Sequence, residues 1–403
     1  MAEKLVVQCG TCGKKYRTSA DTFKDGSKCP CGGVLAPVEG EGGAQPRSAA
    51  EPAAAAAAAQ EPAAGKESGA KEIGRDDTAL LDKVGDSHRR ILEQISKVIV
   101  GQTRVVDELL IAVLSGGHCL LEGVPGLAKT LLISSVAKAL SLSFKRIQFT
   151  PDLMPSDITG TEIIQDDPAT GERKFKFLPG PIFANIILAD EINRTPPKTQ
   201  AAMLEAMQER QVSVGGDNYP MEKPFFVLAT QNPLEQEGTY PLPEAQQDRF
   251  LFKIFVGYPS ADEEKQIVNR VTANLFEDID AVLAAEDVLS AQDIIRRIPV
   301  ADSVVDYATR LVRSTRVGEG ETPDFVSKWV AWGCGPRASI SLIAAAKANA
   351  ALNGRKCASC DDVARVAHPV MRHRMAINYT ARAEGMNTDD VVDKLLEAIP
   401  KYD

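Results

Sequence analysis

No apolar run in this sequence approaches the roughly 20 residues that a membrane helix needs. Residues 1–12 have no apolar segment of the kind a secretory leader carries, so the expectation is a cytoplasmic protein. Basic excess is missing too. Lys and Arg number 46 against 55 Asp and Glu, a net charge of −9. That balance argues against unspecific nucleic-acid binding across the whole surface. Eight cysteines in 403 residues are too few for a disulfide scaffold. What is present is a globular composition, 44% hydrophobic and 25% charged, enough for two or three domains.

The chain is organised around Gly123-Val124-Pro125-Gly126-Leu127-Ala128-Lys129-Thr130. An apolar run at 118–121 precedes it and a helical pattern at 131–140 follows. Strand, glycine loop, Lys-Thr and helix together form the context of a phosphate-binding loop. Its backbone N–H groups and first helical turn converge with partial positive charge. Lys129 adds a full charge, and Thr130 offers a hydroxyl to a magnesium ion. Ala128 occupies a place where the usual pattern has glycine; a small residue at negative φ is expected there.

Residues 185–191 read as a buried parallel strand ending in two carboxylates, Asp190 and Glu191. In an open α/β sheet that strand end faces the ligand. Asp190 is placed to hold magnesium and Glu191 to polarise an attacking water. A further buried strand at 224–229 delivers Asn232, suited to orient that water. Arg249 is expected on a helix, where it could stabilise transition-state charge. Two hairpins are expected, 161–165 with 173–177, and 211–214 with 219–221 across a turn at 215–218. Other helices are expected at 87–99, 103–114 and 197–210. From residue 258 glycine thins and helical patterns take over. Arg337 begins a helix at 338–352, where a cation is disfavoured unless a phosphate is near. Cys357 and Cys360 are read as a coincidental pair, and Trp329 with Trp332 as helix-packing residues.

The N-terminal 38 residues carry Cys9-x2-Cys12 and, sixteen residues on, Cys29-x-Cys31. Two thiolate knuckles of this kind can bind zinc tetrahedrally and stabilise a unit too short for a core of its own. Residues 39–80 hold Glu-Pro-Ala segments and an alanine run at 53–59. With almost no large apolar side chain, they read as a disordered linker.

These motifs together resemble the MoxR-type AAA+ ATPases over about residues 85–400. The resemblance also includes Val100-Gly101-Gln102, Phe149-Thr150-Pro151-Asp152, Leu178-Pro179-Gly180-Pro181, Pro243-Glu244-Ala245-Gln246 and Pro336-Arg337-Ala338. It implies an α/β fold: a five-stranded parallel sheet between helices (81–257), then a helical lid (258–403). It implies a homo-oligomeric ring, a hexamer, that binds ATP with Mg2+ between subunits and swings the lid on hydrolysis. Lys129 and Thr130 match Walker A, Asp190 and Glu191 Walker B, and Asn232 sensor 1. Arg249 matches an arginine finger acting in trans, Arg337 sensor 2, and Arg194 a second interface arginine. The hairpins match inserts that line the ring face or pore. Relatives of this kind act as chaperones toward proteins with von Willebrand factor A domains. The cysteine unit lies outside the family pattern. Two competing readings are a nucleic-acid motor or loader and a nucleotide-gated binding module with little turnover.

Overall fold

The computed structural model describes residues 4–9, 15–19, 35–37, 75–166, 173–233, 238–273, 275, 277–319 and 322–402. The chain divides into two units, residues 1–67 and 68–403.

The first unit contains three antiparallel strands, β1 (Lys4–Cys9), β2 (Lys15–Ser19) and β3 (Leu35–Pro37), in the order β2-β1-β3. Cys9 ends β1, in register with Leu35. Cys12, Cys29 and Cys31 of the expected zinc site lie outside the described residues.

The second unit opens with α1 (Arg75–Ser96) and α2 (Thr103–Ser115). Helix α1 starts well before the expected residue 87 and takes in residues assigned to the linker. Leu81 and Val84 extend its apolar stripe onto the core, and Gly85 lets its backbone approach Gly354. Then come β4 (Cys119–Glu122), α3 (Lys129–Ala139), β5 (Phe144–Gln148) and the short α4 (Pro155–Thr159). The first hairpin pairs β6 (Gly160–Asp166) with β7 (Arg173–Pro179); its turn lies outside the described residues. Strand β8 (Ile186–Asp190) leads to α5 (Pro197–Glu209) and the second hairpin, β9 (Gln211–Val214) with β10 (Asp217–Pro220). The turn is tighter than expected. Only Gly215 and Gly216 form it, both at positive φ, as a two-residue hairpin loop demands. Strand β11 (Phe226–Gln231), α6 (Glu244–Gln247), β12 (Phe252–Phe255) and α7 (Ala261–Thr272) complete the core.

The central sheet is parallel throughout, in the order β12-β4-β11-β8-β5. Its three central strands, β4, β11 and β8, are apolar on both faces because both are covered. Cys119, Leu121, Ile186, Leu188, Phe226 and Leu228 face α1–α3, while Leu120, Ile187, Ala189, Val227 and Ala229 face Met203, Leu204 and Met207 of α5.

The lid comprises α8 (Ala285–Arg297), α9 (Asp302–Arg313), α10 (Asp324–Trp329), β13 (Val330–Trp332), α11 (Pro336–Leu352), α12 (Cys360–Met371), β14 (Ala376–Ile377), α13 (Tyr379–Ala383) and α14 (Thr388–Ala398). Trp332 is not a helix-packing residue: it sits in β13, paired with Ala376, and is exposed. Cys360 is buried and Cys357 exposed, and no group of three or more metal-ligating side chains gathers among the described residues. No described helix is long and apolar enough to cross a membrane.

Candidate nucleotide site

The parallel register collects four strand ends on one edge. Gln231 pairs with Glu122, and Gln148 pairs with Asp190. Beyond those ends stand the 123–130 loop, Glu191 and Asn232. Gly123 donates its N–H to Gln231 O at 3.4 Å. A Cβ on Gly123 would stand 2.7 Å from Val256 O, so only glycine fits there. Gly126 has φ +88° and nothing within 4 Å of the Cβ position, leaving an open cradle over the loop. Ala128 departs from expectation. Its φ is +52°, in the left-handed region that glycine normally supplies.

Lys129 begins α3, and its Nζ donates to Gly123 O at 2.5 Å. Burial pulls its pKa down, while Asp190, Glu191 and Glu122 pull it up. The ammonium therefore sits over the loop, within the field of the acidic strand end. Thr130 follows, half-buried.

Asp190 is held from two sides. Thr230 Oγ1 donates to its Oδ1 at 2.6 Å, and Arg146 Nε and Nη2 donate to Oδ2 at 3.0 and 2.6 Å. Thr230 Oγ1 also accepts the Glu191 N–H at 2.8 Å, which pins the backbone at the strand end. Glu191 takes a left-handed φ of +58°. Its carboxylate accepts from Gln148 Nε2 at 2.8 Å and pairs with Arg194 Nε at 3.2 Å. Asn232 is buried at the end of β11. Thr230, Arg146 and Gln148 had no role in the sequence reading. Their shared signal is position, each at or near the carboxyl end of a strand flanking β8.

An apolar cleft of about 170 Å³ adjoins the loop, with Val98, Ile99, Leu131 and Val271 on its walls and Gly126 at its mouth. The loop, Lys129, Thr130 and Asp190 fit a triphosphate with magnesium: an open anion cradle, one ammonium, and hydroxyl and carboxylate oxygens for a hard cation.

Arg249 and Arg337 do not join this cluster within the chain. Arg249 lies past the end of α6, not on a helix, because α6 stops at Gln247 and Asp248 caps it. It is exposed, and Nη1 donates to Leu204 O at 3.2 Å. Arg337, at the start of α11, pairs with Asp248 at 3.2 Å. Both arginines line a cleft with Gly116, Gly117 and His118, at the amino end of β4. The phosphate loop leaves the carboxyl end of that strand. Asp248 is in turn fixed by Arg374, buried and absent from the sequence reading, whose Nε donates to Asp248 Oδ1 at 2.9 Å. Arg374 also donates to the carbonyls of Asp248, Phe250, Leu251 and Val370.

Comparison with known proteins gives the family. Residues 118–252 match the ATPase family associated with various cellular activities, and residues 325–395 match the AAA lid domain. Chaperone MoxR1 of Mycobacterium tuberculosis is 46% identical over 310 residues, covering 77% of this chain and 81% of that protein. Protein MoxR of Methylorubrum extorquens is 30% identical over 345 residues, covering 80% and 97%. A crystal structure of a candidate ATPase from Cytophaga hutchinsonii superposes with a TM-score of 0.74 at 41% identity, covering 81% of this chain and 97% of that one.

Proposed function

Because the chain belongs to the MoxR family of AAA+ ATPases, we propose that it binds and hydrolyses ATP at the interfaces of a homo-oligomeric ring, a hexamer, and uses the cycle to remodel a protein client. The observation that carries this reading is the split of the site. Lys129, Thr130, Asp190 and Glu191 share one edge of the sheet, and Arg249 and Arg337 share the opposite edge. Subunits packed head to tail bring one protomer's arginines to the next one's phosphates.

Lys129 and the loop amides bind the β- and γ-phosphates, and the apolar cleft takes the base. Thr130 and Asp190 would hold magnesium, which neutralises phosphate charge when bound. Glu191, released from Gln148, draws a proton from water as it attacks, and Asn232 orients that water. Arg249 and Arg337 from the neighbour stabilise charge on the transferring phosphoryl group. The client class implied by the resemblance is a protein with a von Willebrand factor A domain. The cysteine unit, as a zinc-bound docking module on a linker, suits partner selection. The deciding experiment is Glu191→Gln. Nucleotide binding should persist and a ring should accumulate with ATP, while phosphate release falls about 10²–10⁴-fold. Unchanged turnover would remove Glu191 from its role, and salt-sensitive stimulation by DNA would favour a nucleic-acid motor.

A further inference from the structure

Three acids stand on the nucleotide edge, and each faces a cation. Glu122, the last residue of β4, pairs with Lys253 of β12 at 2.7 Å. Glu191 pairs with Arg194 at 3.2 Å. Asp190 pairs with Arg146 of β5 at 2.6 Å. This last pair differs from the others, because Asp190 can serve a magnesium shell only with an oxygen that is already taken. Thr230 occupies Oδ1, and Arg146 occupies Oδ2 with two donors. The Arg146 Nη2 also donates to Gln148 Oε1.

Register brings Arg146 there. Strand β5 is an edge strand of the central sheet, and its Gln148 lies opposite Asp190. Arg146 is two residues back on the same face, opposite Leu188, which packs toward α1–α3. Its side chain therefore runs along the sheet toward the carboxyl end, on the face where Lys129 and Thr130 begin α3. It stays 49% exposed, against 13% for Asp190. The guanidinium has water to turn into, whereas the carboxylate is fixed by Thr230.

Charge decides what this pair does. A bare carboxylate beside a nucleotide's phosphates repels them, and in a largely buried position that repulsion is poorly screened. Arg146 on Asp190 removes the repulsion with one unit of charge. A magnesium ion reaching the same oxygen, directly or through its water shell, would remove it with two. The two cations compete for one place, and the half-exposed arginine is the one that can yield.

We infer that Arg146 is a placeholder for magnesium: it shields Asp190 so that a nucleotide can enter without metal, and it gives up Oδ2 to the metal that follows. This rests on the ATPase reading above, and the test separates the two. The probe is a fluorescent ADP analogue, which binds without turnover. Its dissociation constant is measured on the full-length chain in excess magnesium chloride and in EDTA. The metal-free constant divided by the magnesium constant gives the coupling between metal and nucleotide. Arg146→Gln should raise that ratio about three- to tenfold, because the metal no longer has a guanidinium to displace. The rise should come from weaker metal-free binding, with the constant in magnesium unchanged. By linkage the same factor should appear as tighter metal binding by the ADP-loaded chain, read with manganese by electron paramagnetic resonance. Arg146→Lys keeps the charge and should restore most of the original ratio. A residue that only supports the fold would shift both constants alike, and one that binds phosphate would weaken binding in magnesium as well. A ratio that is unchanged or lowered in Arg146→Gln, or a loss of affinity in magnesium, overturns the placeholder and leaves the ATPase reading standing. Absence of ADP binding by the unaltered chain, with and without magnesium, overturns both.

Discussion

Arg337 is paired with Asp248 across 3.2 Å, at the opposite end of β4 from Lys129. Its ion pair is exposed, so little free energy opposes breaking it. A site completed by the neighbouring subunit can be tested by mixing defective chains. Lys129→Ala alone and Arg249→Ala alone should each lose most turnover. Mixed in equal amounts, they form some interfaces with an intact loop on one side and intact arginines on the other. Phosphate release should recover to a measurable fraction. No recovery despite mixed assembly would mean that both groups act within one chain.

Glu191 is restrained before any reaction, since Gln148 and Arg194 occupy its carboxylate. A hydrogen bond to a charged group is worth about 1.5–3 kcal/mol. Gln148→Ala removes that tether at no cost to the phosphate loop. Basal turnover should rise about 3- to 10-fold with little change in nucleotide affinity, as steady-state assays and titration would show. A fall in turnover would instead make Gln148 part of the reacting arrangement.

Ala128 carries a strained backbone, at φ +52°. The left-handed region costs a residue with a Cβ roughly 1–2 kcal/mol, partly offset by the greater freedom of glycine in the unfolded chain. Ala128→Gly should therefore raise stability by up to about 1 kcal/mol, read from the midpoint of urea unfolding. Ala128→Val should do the reverse.

His118 is buried neutral. Its Nδ1 accepts the Val227 N–H at 3.0 Å, and Nε2 faces Met207 O at 3.2 Å. Burial pushes its pKa down to about 4, and burial also drives His373 well below the usual histidine value. A folded-state pKa below the unfolded one means that the unfolded chain binds the proton more readily. Stability from these groups is complete above about pH 6.5 and is lost as pH falls toward 4. His118 alone accounts for about 3 kcal/mol over that range. Urea unfolding at a series of pH values should show the decline, and His118→Gln should flatten it.

The phosphate loop and the acidic strand end were legible because each depends on neighbours in sequence. A glycine loop between strand and helix, and an apolar run closing on Asp190, announce themselves locally. Thr230, Arg146 and Gln148 were not legible, since only the register of β5, β8 and β11 makes them neighbours of the two acids. The early start of α1 was hidden because Leu81 and Val84 follow an alanine-rich stretch that reads as linker. Arg249 and Arg337 were picked out by motif, but the separation of Arg249 from Lys129 follows from the parallel sheet, which sets the approach to β12 beside the amino end of β4, and that of Arg337 from the packing of α11. Arg374 escaped notice because a charged side chain gives no local sign that it will be buried.

That buried guanidinium sets how the machine can flex. Arg374 gathers carbonyls from the β12 approach and from α12, and the apolar core runs without a break from α1–α3 into α8, α9, α11 and α12. Pulling the two halves of one protomer apart would strand a cation in a dry seam, so a swinging lid of the kind the family resemblance implies is the costly route. The two halves are therefore expected to move together, as one solid block.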